Sequence, residues 1–173
     1  SVLCEGEDIL LQGAVANGGS NPTYIWTGPN GYTGVGQNQT IPNATVDADG
    51  EYSFVVIGAG GCTSDTATVD VTVYAKPVAI ASADETSVCE GGTLTLIGDG
   101  GAAYLWTGPN GFTSNEQNPT ISNLTLNEGG TYTLTVISSD GCESDAATVQ
   151  IVITPASTSS GYIETTMSVC VGE

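Results

Sequence analysis

Histidine is missing from this sequence, and a single basic residue, Lys76, faces 19 acidic ones, which sets the net charge at -18 over 173 residues. So acidic a surface repels phosphate backbones and anionic lipid, which argues against nucleic-acid partners and membrane insertion. Without histidine the usual acid–base and nucleophile–base pairs lack a partner, and no enzyme is expected. No apolar run approaches the roughly 20 residues that span a bilayer, no basic and apolar leader opens the chain, and helical periodicity is absent. Cysteine occurs five times with neither histidine nor a C-x-x-C pair, so disulfides in an oxidising compartment are the better reading than zinc or iron–sulfur. The chain reads as secreted, at a cell surface or outside the cell.

What is present repeats. Trp26 recurs as Trp106, Tyr52 as Tyr132 and Cys62 as Cys142, each 80 residues on. Cys4 precedes Cys89 by 85, so the first copy holds five extra residues before its tryptophan, in the loop carrying Asn17 to Asn21. A third copy begins at Ser168-Val169-Cys170. Hydrophobic residues make up 39% of the chain and alternate with polar ones, the period of half-buried strands and not of a disordered acidic tail. The expected inward residues of copy one are Ile9, Leu11, Trp26, Ile41, Tyr52, Phe54, Val56, Val69, Val71 and Val73, and copy two repeats the pattern. Trp-Thr-Gly-Pro-Asn-Gly, at 26–31 and 106–111, carries turn chemistry. Lys76-Pro77 and Pro155 follow the last strand of each copy, which places the domains at 1–75, 76–154 and 155–173.

The ordered leucine, tryptophan, Ile121-x-Asn123-Leu124 and Gly130-x-Tyr132, with Gly50-x-Tyr52 in copy one, resemble the immunoglobulin superfamily. The resemblance implies an all-β fold of tandem immunoglobulin-like β-sandwich repeats. Leu11 and Phe54, or Leu96 and Leu134, stand where the family keeps its disulfide. Cysteines at Val-Cys-Glu-Gly and Gly-Cys instead resemble the Ig-like and PKD-like repeats of giant Bacteroidota cell-surface adhesins, which implies an adhesin stalk, a rod or filament whose partners are neighbouring copies of the same repeat. The alternative is an adhesive module binding a glycan or protein through end loops, best at Asn17–Asn21; a third reading is an accessory domain of a secreted hydrolase.

Within an immunoglobulin topology, Cys4 and Cys89 lie at the start of strand B and Cys62 and Cys142 after strand F, at opposite ends of the sandwich. That implies Cys4 pairing with Cys142 across modules, with partners for Cys62, Cys89 and Cys170 outside the chain. Closure within each copy, Cys4–Cys62 and Cys89–Cys142, holds if the topology differs. Copy one is expected to lack strand A, which copy two has near Val78–Ala83 and which Ala156–Met167 would supply to the next module, through a continuous chain in preference to donation between subunits.

The remaining candidates are modest in number. Trp26, Trp106, Tyr52 and Tyr132 read as core and not as sugar-stacking rings. Tyr32 and Phe112 are candidates for exposed aromatics at a module contact. Asp47, Asp49 and Glu51 place oxygens at alternate positions, a partial calcium motif without the twelve-residue loop; no other cofactor is expected. Asn38, Asn43 and Asn123 fit the N-glycosylation sequon, and Thr66 lies in an Asp-Thr-Ala acceptor for O-glycosylation.

Overall fold

The computed structural model describes residues 2–15 and 21–156. The chain divides into two compact units, 1–76 and 77–173. Unit 1 contains β1 (Val2–Cys4), β2 (Ile9–Gln12), β3 (Thr23–Thr27), β4 (Thr33–Val35), β5 (Asn38–Ile41), β6 (Gly50–Ile57) and β7 (Ala67–Tyr74). One sheet runs β1-β7-β6-β3-β4 and the other holds β2 and β5. Unit 2 contains β8 (Ile80–Ala83), β9 (Ser87–Cys89), β10 (Thr93–Asp99), β11 (Ala103–Thr107), β12 (Thr113–Ser114), β13 (Thr120–Ser122), β14 (Gly130–Ile137) and β15 (Ala147–Thr154). Its sheets are β12-β11-β14-β15-β9 and β13-β10-β8. All pairings are antiparallel except β1 with β7 and β9 with β15.

Alternation builds both cores. On β6, Tyr52, Phe54 and Val56 are buried, and on β14 Tyr132, Leu134 and Val136 are, while the residues between them face outward. Trp26 and Trp106 stand beside them on the neighbouring strands β3 and β11 of the same sheets, and Ile9 and Leu11, or Leu94 and Leu96, meet them from the opposite sheets. Where the superfamily places a cystine, Leu11 meets Phe54 in one core and Leu96 meets Leu134 in the other, all four buried. The Phe54 ring lies 4.6 Å from that of Trp26, centroid to centroid, so an aromatic pair fills that volume in unit 1. Burying these side chains contributes about 1.5–3 kcal/mol each.

Two expectations are corrected. Val69 is 40% exposed and not inward: among the described residues β2 has β5 alone beside it, whereas the matching β10 has β8 as well. Val149, at the same place in unit 2, packs against the core. Cys4 and Cys89, expected at the start of strand B, lie instead on β1 and β9, separate short strands hydrogen-bonded in parallel to the last strand of the opposite sheet.

Candidate functional site

Each unit ends in the same locked turn. Pro29-Asn30-Gly31 and Pro109-Asn110-Gly111 bend through Asn30 and Asn110, with φ of 52° and 54°, a left-handed conformation that asparagine tolerates. Tyr52 donates its hydroxyl to the Ala48 carbonyl at 2.9 Å, and Tyr132 does the same to Glu128 at 2.9 Å. The rings cover Gly28 and Gly108, where a Cβ would sit 2.4 Å from ring carbon, so only glycine fits. Tyr32 and Phe112 are not free contact aromatics: they are half-buried and meet the Tyr52 and Tyr132 rings edge-on at 5.7 Å and 5.5 Å. Burial raises the pKa of Tyr32, Tyr52 and Tyr132, and the charges of Asp49 and Glu128 add to it for Tyr52 and Tyr132.

The turn is tied differently in the two units. In unit 1 the Asn30 amide donates to the Asp47 carbonyl. In unit 2 Glu128 accepts from the Thr125 N–H at 2.6 Å, the Thr125 hydroxyl at 2.7 Å and the Asn110 amide at 2.9 Å. Those bonds, the Thr125 hydroxyl foremost, hold its carboxyl below the ordinary glutamate range. Of the calcium candidates, Asp49 accepts from the Val73 N–H at 3.0 Å, and Asp47 and Glu51 are exposed. They do not come together as a ligand group, and no group of three or more metal-ligating side chains occurs among the described residues.

Two recurring polar links escaped the sequence reading. Gln37 and Gln117 accept the indole N–H of Trp26 and Trp106 on their carbonyls at 3.2 Å, and their side-chain amides donate to Gly13 and Gly98 at 2.7 Å and 2.9 Å. Ser64 and Ser144 accept from the Val56 and Val136 N–H at 3.0 Å. Both pairs keep the spacing of the tryptophans, which was the available signal.

Cys4, Cys89 and Cys142 are each in a disulfide, and Cys62 is a free, exposed thiol. Register separates the cysteines of one unit. Cys89 lies opposite Thr154 and Cys4 opposite Tyr74, at the far ends of β15 and β7, whereas Cys142 and Cys62 precede the starts of those strands at Ala147 and Ala67. A strand of eight residues spans about 23 Å, against the ~7 Å that a disulfide allows between Cα atoms. Cys170 lies outside the described residues.

Asn38, Asn43, Asn123 and Thr66 are all exposed, and Asn43 and Asn123 adopt positive φ. Of the inserted loop, residues 16–20 lie outside the described residues. Beside β2 a groove of about 400 Å³ opens between the sheets of unit 1, lined by Leu3, Ile9, Leu10, Leu11, Val69 and Val71 among others.

The sandwich topology defines the class: this chain has an immunoglobulin-like fold. Among solved structures, a Drosophila OTK fragment of extracellular domains 3–5 superposes with a TM-score of 0.51 at 16% identity, covering 89% of this chain and 59% of that one. An amphioxus IgVJ-C2 molecule is similar with 22% identity and a TM-score of 0.42 over 88% and 99% of the two chains. For the N-terminal four Ig domains of Dscam1 isoform 6.9 the identity is 16% and the TM-score 0.38, and this chain, 89% covered, spans 43% of that fragment. No family model matches the sequence, and no curated protein does. No helix among the described residues is long and apolar enough to cross a membrane.

Proposed function

We propose that residues 1–173 are consecutive modules of a non-enzymatic extracellular repeat protein, a rod or filament at a cell surface of the adhesin-stalk type, with disulfides joining successive modules. The observation that carries this reading is the position of the cysteines at opposite ends of each sandwich, too far apart by register to close within a module. The repeated tryptophan–glutamine and tyrosine links support it, since one architecture is used twice in one chain. Cys4 bonds to Cys142 of the following module, and Cys89 and Cys170 take the corresponding partners in later ones. Cys62, free in the isolated chain, takes the corresponding partner in a preceding module. Each bridge contributes about 2–4 kcal/mol through loop closure and stiffens a junction against pulling.

Non-reducing peptide mapping tests the scheme. A Cys4–Cys142 peptide is expected, and recovery of Cys4–Cys62 or Cys89–Cys142 in its place overturns it. The second reading, an adhesive module that binds through its end loops, rests on the insertion around Asn21. Beaded fibres under the electron microscope fit the rod, and short particles with a glycan-array signal fit the adhesive module.

A further inference from the structure

We infer that a pocket beside the Pro29 turn of unit 1 binds a neutral sugar ring through two adjacent hydroxyl groups. Unit 2 shows what the donors around it are placed to hold. There a single carboxylate, that of Glu128, takes the Thr125 N–H at 2.6 Å and the Thr125 hydroxyl at 2.7 Å on one oxygen, and the Asn110 amide at 2.9 Å on the other. The glutamate thus ties together the two turns of its own unit.

Eighty residues earlier the same three places hold Thr45, Asn30 and Ala48. A methyl group makes none of those bonds. Neither the N–H nor the hydroxyl of Thr45 has a hydrogen-bond partner among the described residues, and the Asn30 amide uses one of its two N–H bonds on the Asp47 carbonyl, which leaves the second. Where these groups meet, a pocket of about 290 Å³ opens, with Pro29, Tyr32 and Tyr52 as apolar walls and Asn30, Thr45 and Asp47 as a polar rim. All three rim residues are exposed.

The rim and the walls together select the ligand. Two oxygens have to stand where unit 2 has the two of Glu128, and hydroxyls on neighbouring ring carbons supply such a pair. Hydroxyls also carry protons to donate. Asp47, in the place of Asn127 of unit 2, offers an acceptor for them, since its carboxylate has no hydrogen-bond partner among the described residues. That same charge, within a chain of net charge -18, repels a ligand carboxylate, so acidic sugars and acidic peptides are excluded. The C–H face of a pyranose suits walls of tyrosine and proline. The volume lies at the small end of ligand sites, about 300 Å³, which fits a ring and not a folded peptide.

The full chain, labelled with nitrogen-15, is titrated with methyl β-D-glucopyranoside, methyl α-D-mannopyranoside and methyl β-D-galactopyranoside, and with glucuronic acid as the charged control. Saturable shifts at Asn30, Tyr32, Thr45 and Asp47 are expected with at least one neutral sugar, while Asn110, Phe112, Thr125 and Asn127 stay still and serve as the internal control. Glucuronic acid should bind more weakly than that sugar. Ala48→Glu installs the residue unit 2 already carries, so the turn is kept and the mouth closes; binding should weaken about tenfold or more. Asp47→Asn, also the unit 2 residue, should weaken the neutral sugar and remove the discrimination against glucuronic acid. No saturable shift with any neutral sugar, equal shifts in both units, or undiminished binding to a folded Ala48→Glu or Asp47→Asn chain would overturn the site. The rod reading and its disulfide map would survive that failure, because neither depends on this pocket.

Discussion

The tyrosine at each corner shows how a single hydroxyl fixes a turn. Tyr52 and Tyr132 are buried rings whose oxygens reach the carbonyl four residues upstream, and each ring seals a glycine just past the end of the adjoining strand. Replacing either by phenylalanine keeps the ring packing and strands an acceptor at the corner. Such a loss costs about 1–3 kcal/mol. Denaturant melts of Tyr52→Phe and Tyr132→Phe should therefore show equal and substantial destabilisation, and a negligible loss in both would show that water replaces the bond. The corner was legible because Gly-x-Tyr is a compact, ordered signature. The Gln37 and Gln117 links were not, because a glutamine in a polar loop announces nothing until the fold brings its amide to Gly13 or Gly98.

At the scale of elements the two units diverge where acidic side chains terminate strands and turns. Glu128 in unit 2 stands where unit 1 has Ala48, and both Glu128 and Asp84 have carboxyl pKa values lowered by accepted hydrogen bonds. A lowered folded pKa gives stabilisation that is complete above the ordinary carboxylate range, about 4, and is lost as pH falls through the folded value. Glu128→Gln should thus melt below the parent at neutral pH, with the gap closing as acid protonates Glu128 in the parent. A gap that stays constant down to strong acid would refute this assignment. The inward residues were readable from alternation, which is why the Val69 error is instructive. Alternation records which face a residue takes, but burial on that face also depends on a neighbouring strand, and among the described residues β2 lacks the one that covers β10. The parallel strands β1 and β9 were equally invisible, since three residues are too few to display a period.

For the whole molecule, charge is the dominant unspent quantity. A net charge of -18 with one lysine means that neighbouring acidic turns repel one another along any chain of such modules. Divalent cations relieve that repulsion without a built site, by accumulating near carboxylates in a way that falls off over a Debye length of about 10 Å at 0.1 M ionic strength. Asp49 is a poor candidate for direct ligation because its carboxylate already accepts from Val73, so the effect should be distributed and not tied to Asp47, Asp49 and Glu51. Millimolar calcium is therefore expected to raise the melting temperature and straighten the particles relative to chelator, and an Asp47→Asn, Glu51→Gln chain should retain most of the shift. Identical melting and bending in calcium and chelator would remove the ionic argument. A shift abolished by those two substitutions would restore a discrete calcium site at the turn.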